Sequence, residues 1–379
     1  MLRLTENRLP RVRLIGEVPV KLWGLKLDEW QTRTWKKLGA EDVAPDGDFL
    51  VGSDWILSPA LAKNLLAQPG AALIVKEKAL DQERVAAIHF DSADRASENA
   101  DLVNAVNPDW EALKAAGLTP GYMTDFVGDY DQALRKREAP YAMSLFSSTP
   151  AAVERRLFKG SYKGVTDLVT KYAWPEPALH VTRLCANLRL TPNMVTTASL
   201  ALVVLAFYYF WIGAWIPGIL AGWAMTFLDT VDGKLARTTM TYSAWGNIYD
   251  HGIDLIHPPF WYGAIYVGLL ATGASHPWLL PALIVILAGY VVGRITEGIF
   301  LRAFGFHIHV WRPVDAFMRE ITARRNPNLL IFMLLTLVGS PLWGFILVAA
   351  WTAICVPFHI VRLGQAYASA APVKSFMDT

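Results

Sequence analysis

The sequence predicts an α/β domain in its first 150 residues, followed by an integral membrane domain of six helices. Two observations support this fold class. The front part alternates short apolar runs with helical patterns, which is typical of α/β domains. The second part contains three long uncharged stretches, each too long for one span of about 20 residues and long enough for two. With 379 residues, 53% of them hydrophobic, the chain can hold both domains.

The front domain, residues 1–150, is predicted to be a cytosolic α/β unit. The runs RVRLI, FLVGS and AALIVKE predict strands, and DEWQTRTWKKLGA and SPALAKNLLAQ predict helices that follow the first two. Because strands that alternate with helices usually pair in parallel, we expect a parallel sheet. The N-terminal sequence lacks the apolar core of a signal peptide, so we expect this domain to stay in the cytosol.

Residues 151–193 predict a linker that ends in an amphipathic helix at the membrane surface. Leu179, Leu184 and Leu188 are interspersed with Arg183 and Arg189, a pattern that suits an interfacial helix. The sequence TPN that follows is a typical helix boundary. An ordinary linker helix is the alternative.

Residues 194–368 predict six transmembrane helices in three hairpins. The uncharged stretches are 194–228, 255–293 and 329–361, and turn residues interrupt each of them near its middle. The hairpin turns contain no Lys or Arg, whereas basic residues crowd the opposite ends. The positive-inside rule therefore places both termini in the cytoplasm, at a bacterial-type inner membrane. The basic residues at those ends include Arg237, Arg302, Arg312, Arg319, Arg324, Arg325 and Arg362.

Four aspartates lie in or beside these apolar stretches. Asp229 and Asp232 are three residues apart and Asp250 and Asp254 are four apart, so each pair shares one face of a helix. A carboxylate at membrane depth is costly without a compensating cation. Two such faces opposite each other form an all-oxygen cluster, which suits two Mg²⁺ or Mn²⁺ ions. A structural or ion-conducting cluster is the alternative.

The aspartates belong to a longer pattern of eight residues. The pattern consists of Asp229, Asp232, Gly233, Ala236, Arg237, Gly246, Asp250 and Asp254. In these residues and their spacing the chain resembles the CDP-alcohol phosphotransferase family. The resemblance implies a metal-dependent enzyme that transfers a phosphate-linked alcohol from a CDP-alcohol to a hydroxyl acceptor and releases CMP. It also implies six spans, two cytoplasmic termini and a homodimer.

The resemblance implies a role for each residue of this signature. Asp229, Asp232 and Asp250 would bind the metal ions. Asp254 would be the general base for the acceptor hydroxyl and is also a candidate metal ligand. The cytidine diphosphate part of the donor would bind at the small and basic residues, which are Gly233, Ala236, Arg237 and Gly246.

Two physical arguments support the donor-binding residues. A glycine lets a nucleotide approach the backbone closely, and the guanidinium of Arg237 matches the geometry of a phosphate. Thr230 and Lys234 fall at variable positions of the family pattern. We expect both on the surface of their helix.

A second group of basic residues predicts a polar, phosphate-bearing acceptor. Arg294 and Arg319 are expected to face the cavity and to bind that phosphate through charge-assisted hydrogen bonds. The alternative is that such arginines serve only to set the membrane topology. For His307 and His309 a strand-like or loop role is favoured over a metal pair.

The order of elements in the front domain is similar to that of nucleotide-sugar-type nucleotidyltransferases. The glycine-rich loop that cradles the triphosphate in that family is missing from residues 13–21, and Asp54 only loosely matches its metal-binding aspartate. We therefore expect a degenerate, noncatalytic domain. The combination of the two domains resembles the bifunctional inositol-phosphate cytidylyltransferase/di-inositol-phosphate phosphate synthase proteins.

Several functions stay open at this point. CDP-inositol as the donor follows from the domain arrangement, and CDP-diacylglycerol follows from the commonest bacterial chemistry of the family. The second donor would give phosphatidylinositol phosphate or phosphatidylglycerol phosphate. A site at the membrane favours a lipid as at least one substrate. The alternative from another class is a cation transporter or a membrane scaffold.

Composition argues against two other classes. The net charge is only +2, so binding to nucleic acid is not indicated. Cys185 and Cys355 lie far apart in the sequence, which argues against a disulfide framework or a zinc site.

Overall fold

The computed structural model describes residues 9–77, 80–132 and 134–378. In the front domain the strands are β1 (Val12–Ile15), β2 (Lys21–Leu22), β3 (Leu25–Lys26), β4 (Phe49–Gly52), β5 (Trp55–Leu57), β6 (Ala71–Glu77), β7 (Gln82–His89), β8 (Thr119–Gly121), β9 (Tyr130–Asp131), β10 (Lys136–Arg137) and β11 (Ala142–Ser144). The helices of this domain are α1 (Leu27–Leu38), α2 (Pro59–Leu66), α3 (Ala93–Glu98), α4 (Trp110–Ala115) and α5 (Met123–Phe126).

The central sheet has five strands in the order β1-β4-β7-β6-β8. The α/β architecture is as predicted, and α1 and α2 form where the helical patterns lie. The prediction of a parallel sheet is wrong, because β7 pairs antiparallel with both β4 and β6. The sequence QERVAAIH of β7 was not assigned to a strand, and its insertion makes the sheet mixed.

The linker contains α6 (Pro150–Gly160), a π-helical turn (Val169–Ala173) and α7 (Pro175–Asn187). Helix α7 covers most of the predicted amphipathic segment. Its Leu179 is buried, whereas Leu184 and Leu188 are exposed. Arg183 pairs with Glu154 of α6 at 2.7 Å, which joins the two linker helices.

The C-terminal part is helical and is built around paired helices. Its helices are α8 (Pro192–Trp211), α9 (Trp215–Thr238), α10 (Ala244–Ala271), α11 (Leu279–Phe304), α12 (Pro313–Ile321), α13 (Arg325–Leu337) and α14 (Pro341–Tyr367). The turns within the pairs α8–α9, α10–α11 and α13–α14 fall at the predicted breaks in the uncharged stretches. By length and composition α8, α11 and α14 could cross a membrane. The count of six spans stays a prediction, because α9 and α10 carry the aspartates and α13 has only 13 residues.

The two parts of the chain share a buried core. Leu22, Trp23 and Trp30 of the front domain pack in one cluster with Val231 and Leu235 of α9. Linker residues such as Leu157 and Leu179 complete this cluster. The front domain therefore packs against the end of α9 that carries the aspartates.

Helix α10 packs closely against the end of α8 at Gly268. A Cβ atom there would lie 2.0 Å from the carbonyl oxygen of Phe210 and 3.0 Å from the amide nitrogen of Gly213. Gly213 has a φ of +74°, which only a glycine adopts easily, and it ends the α8 side of the hairpin. The two backbones can approach this closely because neither position has a side chain.

Substitution of Gly268 by alanine should destabilise the helical part. The added methyl would overlap backbone atoms of the neighbouring turn, and overpacking of this kind costs about 1–3 kcal/mol. Gly263→Ala in the same helix is the matched control, since a Cβ there meets nothing within 4 Å. Thermal unfolding in detergent should show a lower melting temperature for Gly268→Ala only. Equal melting temperatures would contradict the close contact.

Candidate active site

A cavity of about 290 Å³ lies between α9 and α10 at their aspartate-bearing ends. All eight residues of the signature line it: Asp229, Asp232, Gly233, Ala236, Arg237, Gly246, Asp250 and Asp254. Their spacing of three and four residues places them on facing sides of the two helices. The volume is near the lower end of the range of small-ligand sites, about 300 Å³.

Two hydroxyl groups hold the signature helices in place. Thr196 of α8 donates a hydrogen bond to Oδ2 of Asp232 at 2.6 Å. Ser243 caps α10, because its Oγ accepts a hydrogen bond from the amide of Gly246 at 3.0 Å. The cap fixes the first turn of α10, from which Gly246 faces the cavity.

A guanidinium links the two pairs of acids. Arg325, the first residue of α13, donates through Nη2 to Oδ2 of Asp229 at 2.6 Å and through Nη1 to Asp254. Arg325 is largely buried, with 16% of its side chain exposed. Among the sequence predictions, Arg325 appears only with the basic residues at the cytoplasmic ends of the spans. Its place as the first residue of a largely apolar helix is a local signal for a contact with the acids.

The acids offer an oxygen donor set but do not converge on one point. Within residues 9–77, 80–132 and 134–378, no three carboxylate, imidazole or thiol side chains lie close enough to hold a metal ion. Oδ1 of Asp232 is buried, and no described residue donates a hydrogen bond to it. Such an atom is costly unless a further donor or a cation reaches it. The carboxylate oxygens of this site are therefore chemically suitable ligands for a hard divalent cation.

The glycines of the signature give space to neighbouring side chains. A Cβ on Gly233 would lie 3.0 Å from Nη2 of Arg237, and a Cβ on Gly246 would lie 3.0 Å from Oδ1 of Asn193. Nε of Arg237 has no hydrogen-bond partner among the described residues. The small residues thus let Arg237 reach into the cavity with an unused donor.

The expectation that Lys234 lies on the helix surface is wrong. Lys234 is 4% exposed, and its Nζ donates to the carbonyl oxygen of Ser161 at 2.9 Å. The ammonium also lies 3.2 Å from the centre of the Tyr162 ring. Lys234 therefore ties α9 to the linker. Thr230, also expected on the surface, lines the cavity.

A second, smaller cavity of about 100 Å³ adjoins the first. Arg294 and Arg319, the two residues predicted to face the acceptor, both line it, together with Arg324. Asp254, Arg319 and Arg325 line both cavities. Asp254 therefore lies where the two cavities meet.

The arginines of the second cavity differ in how far their charge is balanced. Arg324 forms an ion pair with Glu297, and Arg294 lies 3.8 Å from the same carboxylate. By contrast, Nε and Nη1 of Arg319 have no hydrogen-bond partner among the described residues. Burial and the charge of Arg324 lower the pKa of Arg319 to about 9. An anion bound in this cavity would stabilise the charged form of Arg319 and so offset both its burial and the repulsion from Arg324.

The histidines have the predicted loop role. His309 lies in a 3₁₀ turn (Ile308–Val310) and is buried, with Nε2 at 3.3 Å from Oε1 of Glu297. His307 immediately precedes this turn. Glu297 thus joins Arg324 and His309 behind the second cavity.

One part of the chain matches a known protein family. Residues 189–360 match the CDP-alcohol phosphatidyltransferase family. This part of the chain is a CDP-alcohol phosphatidyltransferase domain. The domain contains the whole signature as well as Arg294, Arg319 and Arg325. Proteins of this family transfer a phosphoalcohol from a CDP-alcohol to an alcohol acceptor and generally depend on a divalent metal.

A curated relative carries the same family name. The chain is similar to an uncharacterised CDP-alcohol phosphatidyltransferase class-I family protein of Schizosaccharomyces pombe, with 34% identity over 83 residues. The match covers 19% of this chain and 22% of the relative, so it spans about a fifth of either protein.

Linker residues that precede the CDP-alcohol phosphatidyltransferase domain also line its larger cavity. Lys163 and Thr166 lie along the wall, and Asp167 lines both cavities. Oδ1 of Asp167 accepts a hydrogen bond from Nδ2 of Asn326 at 2.9 Å, so the linker is joined to α13. Burial and the charge of Arg135 lower the pKa of Lys163 to about 8. No motif in the sequence marks these linker residues.

The front domain has no open metal site at Asp54. Asp54 is 1% exposed, and its Oδ2 accepts hydrogen bonds from Oγ of Ser144 at 2.6 Å and from Nη1 of Arg84 at 3.1 Å. A carboxylate that is buried and paired in this way is not available to a metal–nucleotide complex.

Replacement of Arg325 by methionine should destabilise the CDP-alcohol phosphatidyltransferase domain. Asp229 and Asp254 would lose their shared cation while remaining 17% and 40% exposed. We expect the free energy of unfolding to fall by about 2 kcal/mol. Breaking a fully buried ion pair costs more, about 3–5 kcal/mol. Melting temperatures in detergent check this, with the exposed Arg302→Met as control. An unchanged melting temperature would show that the bridge does not hold the helices together.

Proposed function

We propose that this protein catalyses metal-dependent transfer of a substituted phosphoryl group from a CDP-alcohol to a hydroxyl acceptor, with release of CMP. The observation that carries the proposal is the position of Asp254. It lies between a cavity lined by the family signature and a cavity lined by arginines. A group at that point can act on a donor in one cavity and an acceptor in the other.

The larger cavity is assigned to the donor. Gly233, Ala236 and Gly246 provide its small walls, and Nε of Arg237 is an unused hydrogen-bond donor for a phosphate. Lys163 adds a second cationic group on the same wall. Together these residues suit the diphosphate of a cytidine nucleotide.

The four aspartates, Asp229, Asp232, Asp250 and Asp254, are the proposed ligands of two Mg²⁺ or Mn²⁺ ions. The free Oδ1 of Asp232 and the all-oxygen donor set support this assignment. When bound, such ions neutralise the diphosphate and stabilise the attacking and leaving oxygens together. Arg325 keeps Asp229 and Asp254 close to each other and supplies one positive charge.

Asp254 is the proposed general base. It takes the proton of the acceptor hydroxyl as that oxygen attacks the β-phosphorus of the donor. The bond between the β-phosphorus and the bridging oxygen breaks, and CMP leaves with that oxygen. The hydrogen bond from Arg325 holds the carboxylate of Asp254, which lines both cavities.

The smaller cavity is assigned to the acceptor. Arg294 and Arg319 would bind a phosphate of the acceptor, and the unpartnered nitrogens of Arg319 support this most directly. CDP-inositol and CDP-diacylglycerol remain the two candidate donors, the second leading to a phospholipid such as phosphatidylinositol phosphate or phosphatidylglycerol phosphate. The apolar helices favour a lipid as at least one substrate.

The remaining proposals concern the setting of the reaction. We place six spans in a bacterial-type inner membrane, with both termini cytoplasmic and two chains forming a homodimer. Residues 1–150 act as a noncatalytic domain and residues 151–193 as a linker to the membrane domain, 194–368. The closed environment of Asp54 supports the noncatalytic assignment.

Asp254→Asn should reduce CMP release by about 100-fold or more, because the amide cannot accept the proton of the acceptor. The assay gives the purified chain CDP-diacylglycerol or CDP-inositol with a panel of alcohols, and mass spectrometry identifies the product. Asp101→Asn, an exposed position in the front domain, is the control. Ion flux into vesicles without CMP release from any donor would instead favour the transporter alternative.

Removal of divalent metal should abolish CMP release reversibly. EDTA would take away the charge that neutralises the donor diphosphate, and added Mg²⁺ or Mn²⁺ should restore the rate. Activity that survives exhaustive chelation would rule out the proposed role of the four aspartates as metal ligands.

A further inference from the structure

Helix α1 of the front domain forms a hydrogen bond with the end of α9. The indole Nε1 of Trp30 donates to the carbonyl oxygen of Thr238 at 2.7 Å. Both residues are buried, each with 2% of its surface exposed. Thr238 is the last residue of α9, where carbonyl oxygens have no partner within the helix. Trp30 therefore supplies a hydrogen-bond donor to the C-terminal end of α9, directly after Arg237.

A second contact from α1 reaches the start of the next signature helix. Nζ of Lys37 donates to the carbonyl oxygen of Tyr242 at 2.8 Å and lies 4.7 Å from the centre of the Tyr242 ring. Trp30 and Lys37 are seven residues apart, about two helical turns, so they share one face of α1. One face of the front domain thus holds both ends of the connection between α9 and α10.

This connection, residues 239–243, has little regular structure of its own. Met240 has a φ of +55°, in the left-handed region, and the amide of Thr241 donates back to the carbonyl oxygen of Ala236 at 2.9 Å. Thr241, Tyr242 and Ser243 line the larger cavity. A shift of the connection would therefore move the wall of the donor site.

The connection also sets the distance between the two halves of the signature. Arg237 precedes it, and Gly246 follows it in the first turn of α10. The apolar cluster of Leu27 and Trp30 with Val231 and Leu235 keeps α1 against α9. The two hydrogen bonds of α1 then fix where the chain turns from one helix into the other.

We propose that α1 of the front domain positions the donor site of the membrane domain, with Trp30 and Lys37 as the positioning residues. The proposal rests on the assignment of the larger cavity to a cytidine nucleotide. In this role the front domain supports nucleotide binding without catalysing a reaction itself. Neither Trp30 nor Lys37 touches the substrate.

The test uses the full chain with Trp30→Phe and Lys37→Met, which remove the donor groups and keep most of the packing. Isothermal titration calorimetry with CMP and Mg²⁺ should show a dissociation constant raised about fivefold for Trp30→Phe, as expected for one lost buried hydrogen bond. The hydrogen bond of Lys37 is exposed to solvent, so Lys37→Met should raise the dissociation constant of CMP about two- to threefold. Lys37→Arg should restore the wild-type value.

Two further measurements separate positioning from general stability. Hydrogen exchange of the amides of residues 236–247 should become faster in both variants, while exchange in β4 and β7 stays unchanged. With an active donor, KM for that donor should rise by the same factor as the CMP dissociation constant, and kcat should change less than twofold. Lys36→Met is the matched control, because Lys36 is exposed and pairs at 2.9 Å with Asp42 inside the front domain.

Unchanged CMP affinity and unchanged exchange in both variants would overturn the proposal. So would faster exchange throughout the front domain with no change confined to residues 236–247. If wild-type protein releases no CMP from any donor, the proposed reaction fails, yet CMP binding and hydrogen exchange still decide the positioning role.

Discussion

The arrangement of the helical part depends on one buried cation. Asp229 and Asp254 belong to different helices, and at close range their negative charges repel each other. Arg325 comes from a third helix and contacts both carboxylates. One guanidinium therefore joins α9, α10 and α13 at the point where the proposed chemistry takes place. The stability of the bundle and the geometry of the site are set by the same interaction.

Three parts of the chain contribute to the site. The CDP-alcohol phosphatidyltransferase domain supplies the acids and the arginines. The linker supplies Lys163 and Asp167 along the cavity wall. The described residues of the front domain line neither cavity, and two of them instead contact the backbone that joins the two signature helices. A sequence motif records only the first of these contributions.

The local features of this site could be predicted, and its long-range contacts could not. The spacing of the aspartates fixes which face of a helix they occupy, and the turn residues fix where the paired helices end. By contrast, the bridge of Arg325 joins residues up to 96 positions apart, and no pattern in the sequence encodes such a pairing. Lys234 was expected on the surface because it falls at a variable position of the family pattern, but its ammonium is buried against the linker carbonyl of Ser161 and the Tyr162 ring. The error in the predicted sheet type has a similar cause. Strand direction depends on how the strands pair across the sheet, and the composition of β7 does not encode this pairing.

The place of Asp254 at the meeting point of two cavities has a consequence for the order of binding. Donor and acceptor would occupy separate spaces that adjoin at Asp254, so neither has to depart before the other arrives. Under the proposed function, both substrates are bound before any bond changes, and the phosphoryl group passes directly between them. Such a ternary complex needs no covalent intermediate on the protein, in contrast to the ping-pong order of enzymes with a nucleophilic side chain.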